Sequence, residues 1–170
     1  MSVRRLLEED VNLIRDHLKA NLPTILAALR TQRADAKVST EPPAEYLTFE
    51  KAQGYRTPCV FILGETMDFR QQAMGANHVN ASSTVNVTVV LEERNADLLQ
   101  IKSYRYMAAL HEALEQANLE SSDFLVKIQV RVARAENSPL YSNAKDEQSA
   151  MAVFRKEVTM VCEIEHFENY

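Results

Sequence analysis

The strongest constraint on the fold lies between Ser83 and Ala117, where one hydrophobic period gives way to another. The first part alternates apolar and polar residues, which predicts a strand with one buried face. From Ala96 to Ala117 the apolar residues recur at three- and four-residue steps, which predicts a helix. Asn95 stands between the two and is a favoured N-cap residue. The residues expected to face the core are Val85, Val87, Val89 and Leu91 in the strand, and Leu99, Tyr106, Leu110, Ala113, Leu114 and Ala117 in the helix.

A strand that leads into a helix, with further strand-like segments around it, predicts a sheet with helices packed on one side. We expect an α/β fold of the α+β type, with a mostly antiparallel sheet of four or five strands. The N-terminal and central helices should pack on one face. A chain of 170 residues most simply forms a single domain. Within residues 1–170, we expect an N-terminal helical segment over 1–33 and a sheet over 45–170 that includes the central helix at 96–117.

The N-terminal helix is predicted by an apolar stripe and contains one unfavourable residue, Pro23. Proline in a helix interior loses a hydrogen bond and clashes with the preceding turn. We therefore expect a kink at Pro23, or a break in which Pro23 opens a second short helix. The stripe consists of Leu6, Leu7, Val11, Ile14, Leu18 and Leu22.

Four further segments are predicted as strands: a short one at 46–49, and longer ones at 57–65, 125–132 and 152–166. The apolar centre of 57–65 indicates burial on both faces, with Gly64 as its end. The last two segments alternate in the manner of half-buried strands. Their expected core residues are Leu125, Ile128, Val130, Val132, Val158, Met160, Cys162 and Ile164.

Two long segments, Thr66–Ser82 and Asn137–Gln148, carry apolar residues in a polar setting. We interpret the first as a long, partly mobile β-excursion; the alternative is the outer half of a hairpin that continues into the next strand. The second is predicted as a polar loop. Their apolar residues could pack back onto the core, or could contact a partner, since methionine and aromatic residues are favoured at interfaces. The candidate interface residues are Met67, Phe69, Arg70, Met74, Leu140 and Tyr141.

Composition argues against several function classes. The net charge of −5 leaves no basic surplus for general nucleic-acid binding. Only 3 glycines occur, too few for a glycine-rich phosphate loop. No signal peptide or bilayer-spanning run is evident, so residence in a cytoplasm is the default expectation. Cys59 and Cys162 lie within apolar runs and are expected to be buried free thiols.

The ionisable residues do not form a recognisable catalytic or metal-binding motif. Glu163 and Glu165 share the outer side of a strand, whereas His166 falls on the other side, so the three do not converge. His111 and Glu112 are expected on a solvated helix face. No histidine has zinc-ligand spacing, and neither cysteine has a neighbour that would activate it. We predict no catalytic residue, no cofactor and no metal, and hence no enzyme.

The order of segments resembles the tail terminator and tail completion (head-tail joining) proteins of long-tailed bacteriophages. The helix opening Val-Arg-Arg-Leu-Leu begins at Val3, and the family's strand of the form Pro-x-Val-x-Ile-x-Gly corresponds to Pro58–Glu65. A strand then leads into a helix of the type seen in Tyr104–Leu110, and two strands follow. The likeness covers most of the chain and depends on pattern and order. The segment Thr66–Ser82 is a departure from it.

The resemblance implies a structural protein of the virion. Family members form rings, commonly hexamers, that cap the tail tube, stop its polymerisation and offer a surface to the head connector or stopper protein. The implied partners are further copies of the chain, the tail tube protein and the connector. No membrane is involved, and DNA is only a passing cargo. The implied location is the tail-neck region of the virion, reached from the host cytoplasm during assembly.

Two alternatives stay open at this point. A head-tail connector or neck protein of the same particle would share the size and the α/β character, and would differ in its partner. A small intracellular ligand-binding domain or enzyme would use a cleft near Glu163 and Glu165. A protein that stays monomeric and binds a metal or small molecule would favour that last alternative.

Overall fold

A computed structural model describes residues 7–33, 37–71, 79–120, 126–143 and 152–168. These residues form two helices and seven strands. In chain order they are α1 (Leu7–Arg33), β1 (Glu45–Leu47), β2 (Cys59–Gln71), β3 (Val79–Glu93), α2 (Ala96–Leu114), β4 (Asn118–Glu120), β5 (Val126–Asn137), β6 (Tyr141–Asn143) and β7 (Val153–Glu168).

The strands form one sheet in the order β1-β2-β3-β7-β5-β4, and β6 pairs with β7 off this path. Every pairing is antiparallel except that of β1 with β2. The predicted fold class is therefore confirmed, although the predicted strand count of four or five is too low. The additional strands, β4 and β6, have three residues each, which is too short to show a hydrophobic period.

Both helices pack on one face of the sheet, which we call the inner face; the opposite side is the outer face. Tyr106 and Leu110 of α2 and Leu18 of α1 are completely buried in this layer. The alternation predicted for β3 and β7 is confirmed, because every residue assigned to the inner face has less than one tenth of its surface exposed. Those residues are Val85, Val87, Val89, Leu91, Val158, Met160, Cys162 and Ile164.

Helix α1 continues through Pro23, so of the two predicted alternatives, a kink or a break, the break is wrong. Leu22 and Leu26 are fully buried on either side of the proline. Burying two leucines is worth about 3 to 6 kcal/mol, which matches or exceeds the cost of about 3 kcal/mol for an interior proline. Packing onto the sheet thus outweighs the local preference.

Strand β2 does not end at Gly64, as the sequence suggested, but runs to Gln71. An added Cβ at Gly64 would stand 2.6 Å from Cγ of Leu7. The glycine therefore allows the first turn of α1 to lie directly against the strand. A register shift between Gly64 and Thr66 leaves Glu65 as an extra, bulged residue.

Helix α2 begins as predicted. The Asn95 side chain accepts hydrogen bonds from the backbone N–H groups of Asp97 and Leu98, which confirms its N-cap role. The helix ends at Leu114, three residues before the predicted end. Gln116 has a φ of 57°, a left-handed conformation that no helix continues through.

The two long segments are more regular than predicted. β2 and β3 pair as far as Gln71 and Val79, so the hairpin alternative is confirmed for the described part of Thr66–Ser82. The predicted loop Asn137–Gln148 contains strand β6, which pairs with the start of β7. Residues 72–78 and 144–151 lie outside the described part of the chain.

Candidate functional site

The predicted interface residues fall on two surfaces. The hairpin surface comprises Met67, Phe69 and Arg70 of β2, and the loop surface comprises Leu140 and Tyr141. Met67 is half-buried on β2, opposite Ser83. Phe69 and Arg70 lie on β2 opposite Ala81 and Asn80, and Met74 lies outside the described residues.

The end of the β2–β3 hairpin extends past the neighbouring strand. The last pair between β3 and β7 is Ser82 with Glu165, whereas β2 and β3 remain paired for three further rows, to Gln71 with Val79. The hairpin surface therefore lies at one end of the sheet, on two strands that continue beyond their support in β7.

The base of this hairpin is held by a buried polar cluster of Asp10, Ser83 and His166. The Ser83 hydroxyl donates to Asp10 Oδ2 at 2.7 Å, and His166 Nε2 lies 2.9 Å from each Asp10 carboxylate oxygen. His166 Nδ1 lies 2.6 Å from the Ala81 carbonyl oxygen. The three side chains belong to α1, β3 and β7, so the cluster joins three elements at one point.

The cluster has the residue types of a hydrolytic triad but not its connections. A nucleophilic serine needs an imidazole nitrogen to accept its proton. Here the Ser83 hydroxyl faces the carboxylate, and both His166 nitrogens face oxygen acceptors. Asp10 is 1%, Ser83 3% and His166 4% exposed, so a substrate has no access to them. The arrangement anchors the hairpin.

The loop surface lies at the opposite end of the sheet. Leu140 and Tyr141 are 44% and 49% exposed. Tyr141 begins β6 and is paired with Arg155 near the start of β7. From Arg155 to Glu165, which is beside the hairpin base, β7 advances ten residues, or roughly 33 Å. The two predicted interface surfaces are therefore well separated along the strands.

The outer face is largely polar. The hydroxyl groups of Thr88 and Thr159 are 2.9 Å apart, and Asn86 donates to Glu65. Its small apolar part consists of Cys59, Phe61 and Val90, packed against Leu47, Tyr55 and Leu63. The burial of Cys59 to Ile62 on both faces confirms the prediction for this segment.

A shallow groove of about 410 Å³ opens beside this apolar part. Arg155 lies over the Tyr55 ring at 5.6 Å from its centroid and donates to Glu157 at 2.7 Å. The Tyr55 ring meets Phe61 edge-on at a centroid distance of 5.2 Å. The groove is lined by Glu157 and not by Glu163 or Glu165, the residues that the ligand-binding alternative places beside a cleft.

The remaining candidate groups stay apart. Glu163 and Glu165 are exposed while His166 is buried, as their alternation predicted, and His111 and Glu112 are exposed on α2. Within the residues that the structure describes, no three histidine, cysteine or carboxylate side chains come together as metal ligands would.

Both cysteines are buried free thiols, as predicted. Burial raises the pKa of Cys162 to about 12 and that of Cys59 to about 11. The nearby carboxylates of Glu115 and Glu45 act in the same direction. Because the reactive form of cysteine is the thiolate, neither side chain is suited to nucleophilic chemistry at neutral pH.

Sequence reasoning missed the Asp10 cluster, although two signals were present. Asp10 precedes Ile14 by four residues, and so occupies the buried stripe of α1. His166 follows Cys162 and Ile164 at steps of two, and so continues the inner face of β7. A polar residue on an apolar face predicts a buried partner, but the sequence does not identify which partner.

Among the described residues, neither helix is long and apolar enough to cross a membrane. No protein-family model and no curated protein matches the chain. One solved structure that it resembles is described as "Virion of native gene transfer agent (GTA) particle", with a TM-score of 0.49 and 15% sequence identity. The match covers 91% of this chain and 93% of that chain.

Proposed function

We propose that this protein is a tail terminator or tail completion protein of a phage-type virion, with a structural and non-enzymatic role. Copies of the chain assemble as a ring, most simply a hexamer. The ring caps the tail tube and joins it to the head connector in the tail-neck region, after synthesis in the host cytoplasm. DNA passes through it, and the net charge of −5 suits a channel that does not hold nucleic acid.

The observation that carries this proposal is the order of elements. The segment that matches the family's strand pattern, Pro58–Glu65, forms the first half of β2, and Tyr104–Leu110 lies within α2. Strand β3 leads into that helix, and the long strands β5 and β7 follow it. The described elements therefore occur in the order on which the resemblance depends.

The placement of the two candidate surfaces supports a connecting role. The hairpin surface and the loop surface lie at opposite ends of the strands, roughly 33 Å apart along β7. In a ring whose axis runs along the strands, the first would face one side of the ring and the second would face the other. One chain could then contact the tail tube on one side and the connector on the other.

The solution mass of the purified protein, measured by light scattering over a range of concentration and salt, tests the proposal. Six copies of the 19.3 kDa chain would weigh about 116 kDa. A defined oligomer near that mass, visible as a ring by electron microscopy, is expected. A protein that remains a monomer at all concentrations and binds a small molecule or metal would instead indicate the ligand-binding alternative.

Substitutions on each surface test the connecting role. Phe69→Ser should weaken contact on one side of the ring, and Tyr141→Ser on the other, while both leave the ring mass unchanged. Tyr104→Ser is the matched control, because Tyr104 is 57% exposed on α2 and belongs to neither surface. The readout is the binding of rings to isolated tail tubes and to connectors. Equal loss with all three variants would contradict the assignment.

A further inference from the structure

The sheet has an uncovered stretch at each edge. On one side, β1 pairs with β2 only at Cys59–Phe61, so Ile62–Asp68 has no strand beside it among the described residues. On the other side, β4 pairs with β5 only at Lys127–Gln129, and no described strand lies beside Arg131–Ala135. We call these stretches the β2 edge and the β5 edge. Open edges of this kind present unpaired backbone groups to another chain.

The two edges lie at the same position along the strand direction. Thr66 on β2 is connected through Thr84 and Glu163 to Arg131 on β5, because these four residues are successive partners across the sheet. Ile62 is connected in the same way to Ala135. A rotation without translation therefore brings the β2 edge of one copy beside the β5 edge of the next, which is the condition for a closed ring rather than a filament.

The strand directions also allow the β2 edge of one copy to pair with the β5 edge of the next. β2 and β7 run the same way, because each is antiparallel to β3, and β5 runs opposite to β7. A second copy rotated about an axis along the strands would thus place its β2 antiparallel to β5. Antiparallel pairing continues the dominant pattern of the sheet.

The charges of the two edges are complementary. The β2 edge contains Glu65 and Asp68 and no basic residue. The β5 edge contains Arg131 and Arg134, of which Arg134 is ion-paired with Glu136 at 2.7 Å, just beyond this stretch. Glu65 lies on the outer face, where Asn86 donates to it. Arg131 and Arg134 are paired with Glu163 and Val161, so they lie on the outer face too. Arg131 makes no ion pair with a described residue.

On the β5 edge, a side chain accepts a hydrogen bond that the backbone of a neighbouring strand would otherwise accept. The Val132 N–H donates to the Glu115 carboxylate at 2.8 Å. In a sheet, that N–H would donate to a backbone carbonyl of the adjacent strand. Both edges also carry a bulge at this level, at Glu65 and at Ala133. Bulges limit indiscriminate pairing of an edge.

We propose that the β2 edge of one copy pairs antiparallel with the β5 edge of the next, so that the sheets join into a continuous ring. The inference rests on the proposed ring function and specifies its subunit contact. The contact is heterologous, because two β2 edges would bring carboxylates together and two β5 edges would bring guanidinium groups together.

Charge exchange tests the contact. Glu65→Arg alone and Arg131→Glu alone should each weaken self-association by about tenfold or more, and the two changes in one chain should restore it. Glu112→Arg and Arg94→Glu are matched controls, since both residues are exposed and distant in sequence from either edge. The readout is oligomer mass against concentration by light scattering, with thermal unfolding to verify that each variant is folded.

Cysteine cross-linking gives a second measurement. A mixture of Thr66→Cys and Arg131→Cys proteins should form linked dimers with a short thiol-specific reagent, whereas neither protein alone should do so. The wild type is the control, because its two thiols are fully buried. Linked dimers from either variant alone would overturn the heterologous contact.

The outcomes separate this contact from the ring itself. If the wild type forms rings, the charge-exchange variants associate equally well and the cysteine mixture does not cross-link, the edge contact is wrong. The ring proposal would then still stand. Cross-links in the mixture without a defined ring mass would support the contact and count against the closed ring. A monomer that does not cross-link would overturn both.

Discussion

The inner and outer faces of the sheet are formed by the same strands, yet they differ in covering, in chemistry and in what they can bind. On β7, Met160 points inward and is completely buried under α2, whereas its neighbour Thr159 points outward and is half-buried beside Thr88. The inner face supplies the stability of the fold. The outer face has only a small apolar cluster, and its charged residues remain available for contacts with other molecules.

The largest effect should come from truncation on the inner face. Met160→Ala removes a fully buried side chain from the core and should lower the free energy of unfolding by about 2 to 5 kcal/mol. Thr159→Ala, one residue away on the outer face, should cost about 1 kcal/mol or less, the value of one hydrogen bond. Urea unfolding of both variants measures the difference. Equal losses would mean that the two faces contribute alike.

The buried polar cluster is an exception to a mostly apolar inner face, and the loss of its central carboxylate should have the next largest effect. Asp10→Ala leaves His166 and Ser83 without their shared partner and should cost about 3 kcal/mol. Ser83→Ala removes one hydrogen bond and should cost about 1 kcal/mol. Asp16→Ala, on the exposed side of the same helix, is the control.

Amide hydrogen exchange then distinguishes a local role from a global one for the cluster. If the cluster anchors the hairpin, Asp10→Ala should accelerate exchange at Ala81 and its β2 partner Phe69 more than at Val89 in the centre of β3. A uniform increase along β3 would contradict the anchoring role.

An alkaline titration measures how far water is excluded from the inner face. The pKa of the Cys162 thiol is raised from 9.0 to about 12 by burial. The folded state therefore retains this proton while the unfolded state loses it, so stability falls as pH rises above 9. The expected loss from this thiol is about 1.4 kcal/mol between pH 8 and pH 10.

The measurement compares the pH dependence of the urea midpoint in the wild type and in Cys162→Ala. The variant should lose less stability over this range, whatever its stability at pH 8. An identical slope would show that Cys162 ionises normally in the folded protein and that water reaches this part of the core.

The smallest effect is expected in the outer groove. Arg155→Gln removes a cation–π contact with Tyr55 and an ion pair with Glu157. Both contacts are partly exposed, so the expected cost is about 0.5 kcal/mol. Thermal unfolding at two salt concentrations measures it. A loss above about 2 kcal/mol would show that the outer face is as important to stability as the inner one.

Most of the fold could be predicted from the sequence because its long elements have clear hydrophobic periods. The alternation in β3 and β7 identified the inner face correctly, and Asn95 identified the start of α2. Short strands such as β4 and β6 could not be identified in this way, because three residues show no period. Gly64 was misread as a strand end, since its role depends on Leu7, which is distant in sequence.

The candidate site was less predictable for a related reason. Asp10 and His166 are 156 residues apart, and nothing local to either one indicates the other. The two open edges likewise follow from which strands become neighbours, and from how short β1 and β4 are. Hydrophobic period determines which face of a strand is buried, but it does not determine strand order. The prediction of an interface at Leu140 and Tyr141 remains to be tested.

The position of β7 has a consequence for the timing of folding. β7 follows all other described strands in sequence, yet it lies between β3 and β5, which do not pair with each other. During synthesis, the β1-β2-β3 part and the β5-β4 part of the sheet cannot be joined until β7 has been made. The Asp10 cluster has the same dependence, because His166 belongs to this strand. A nascent chain therefore acquires the pairing of β5 and the Asp10–His166 contact only after β7 has been synthesised.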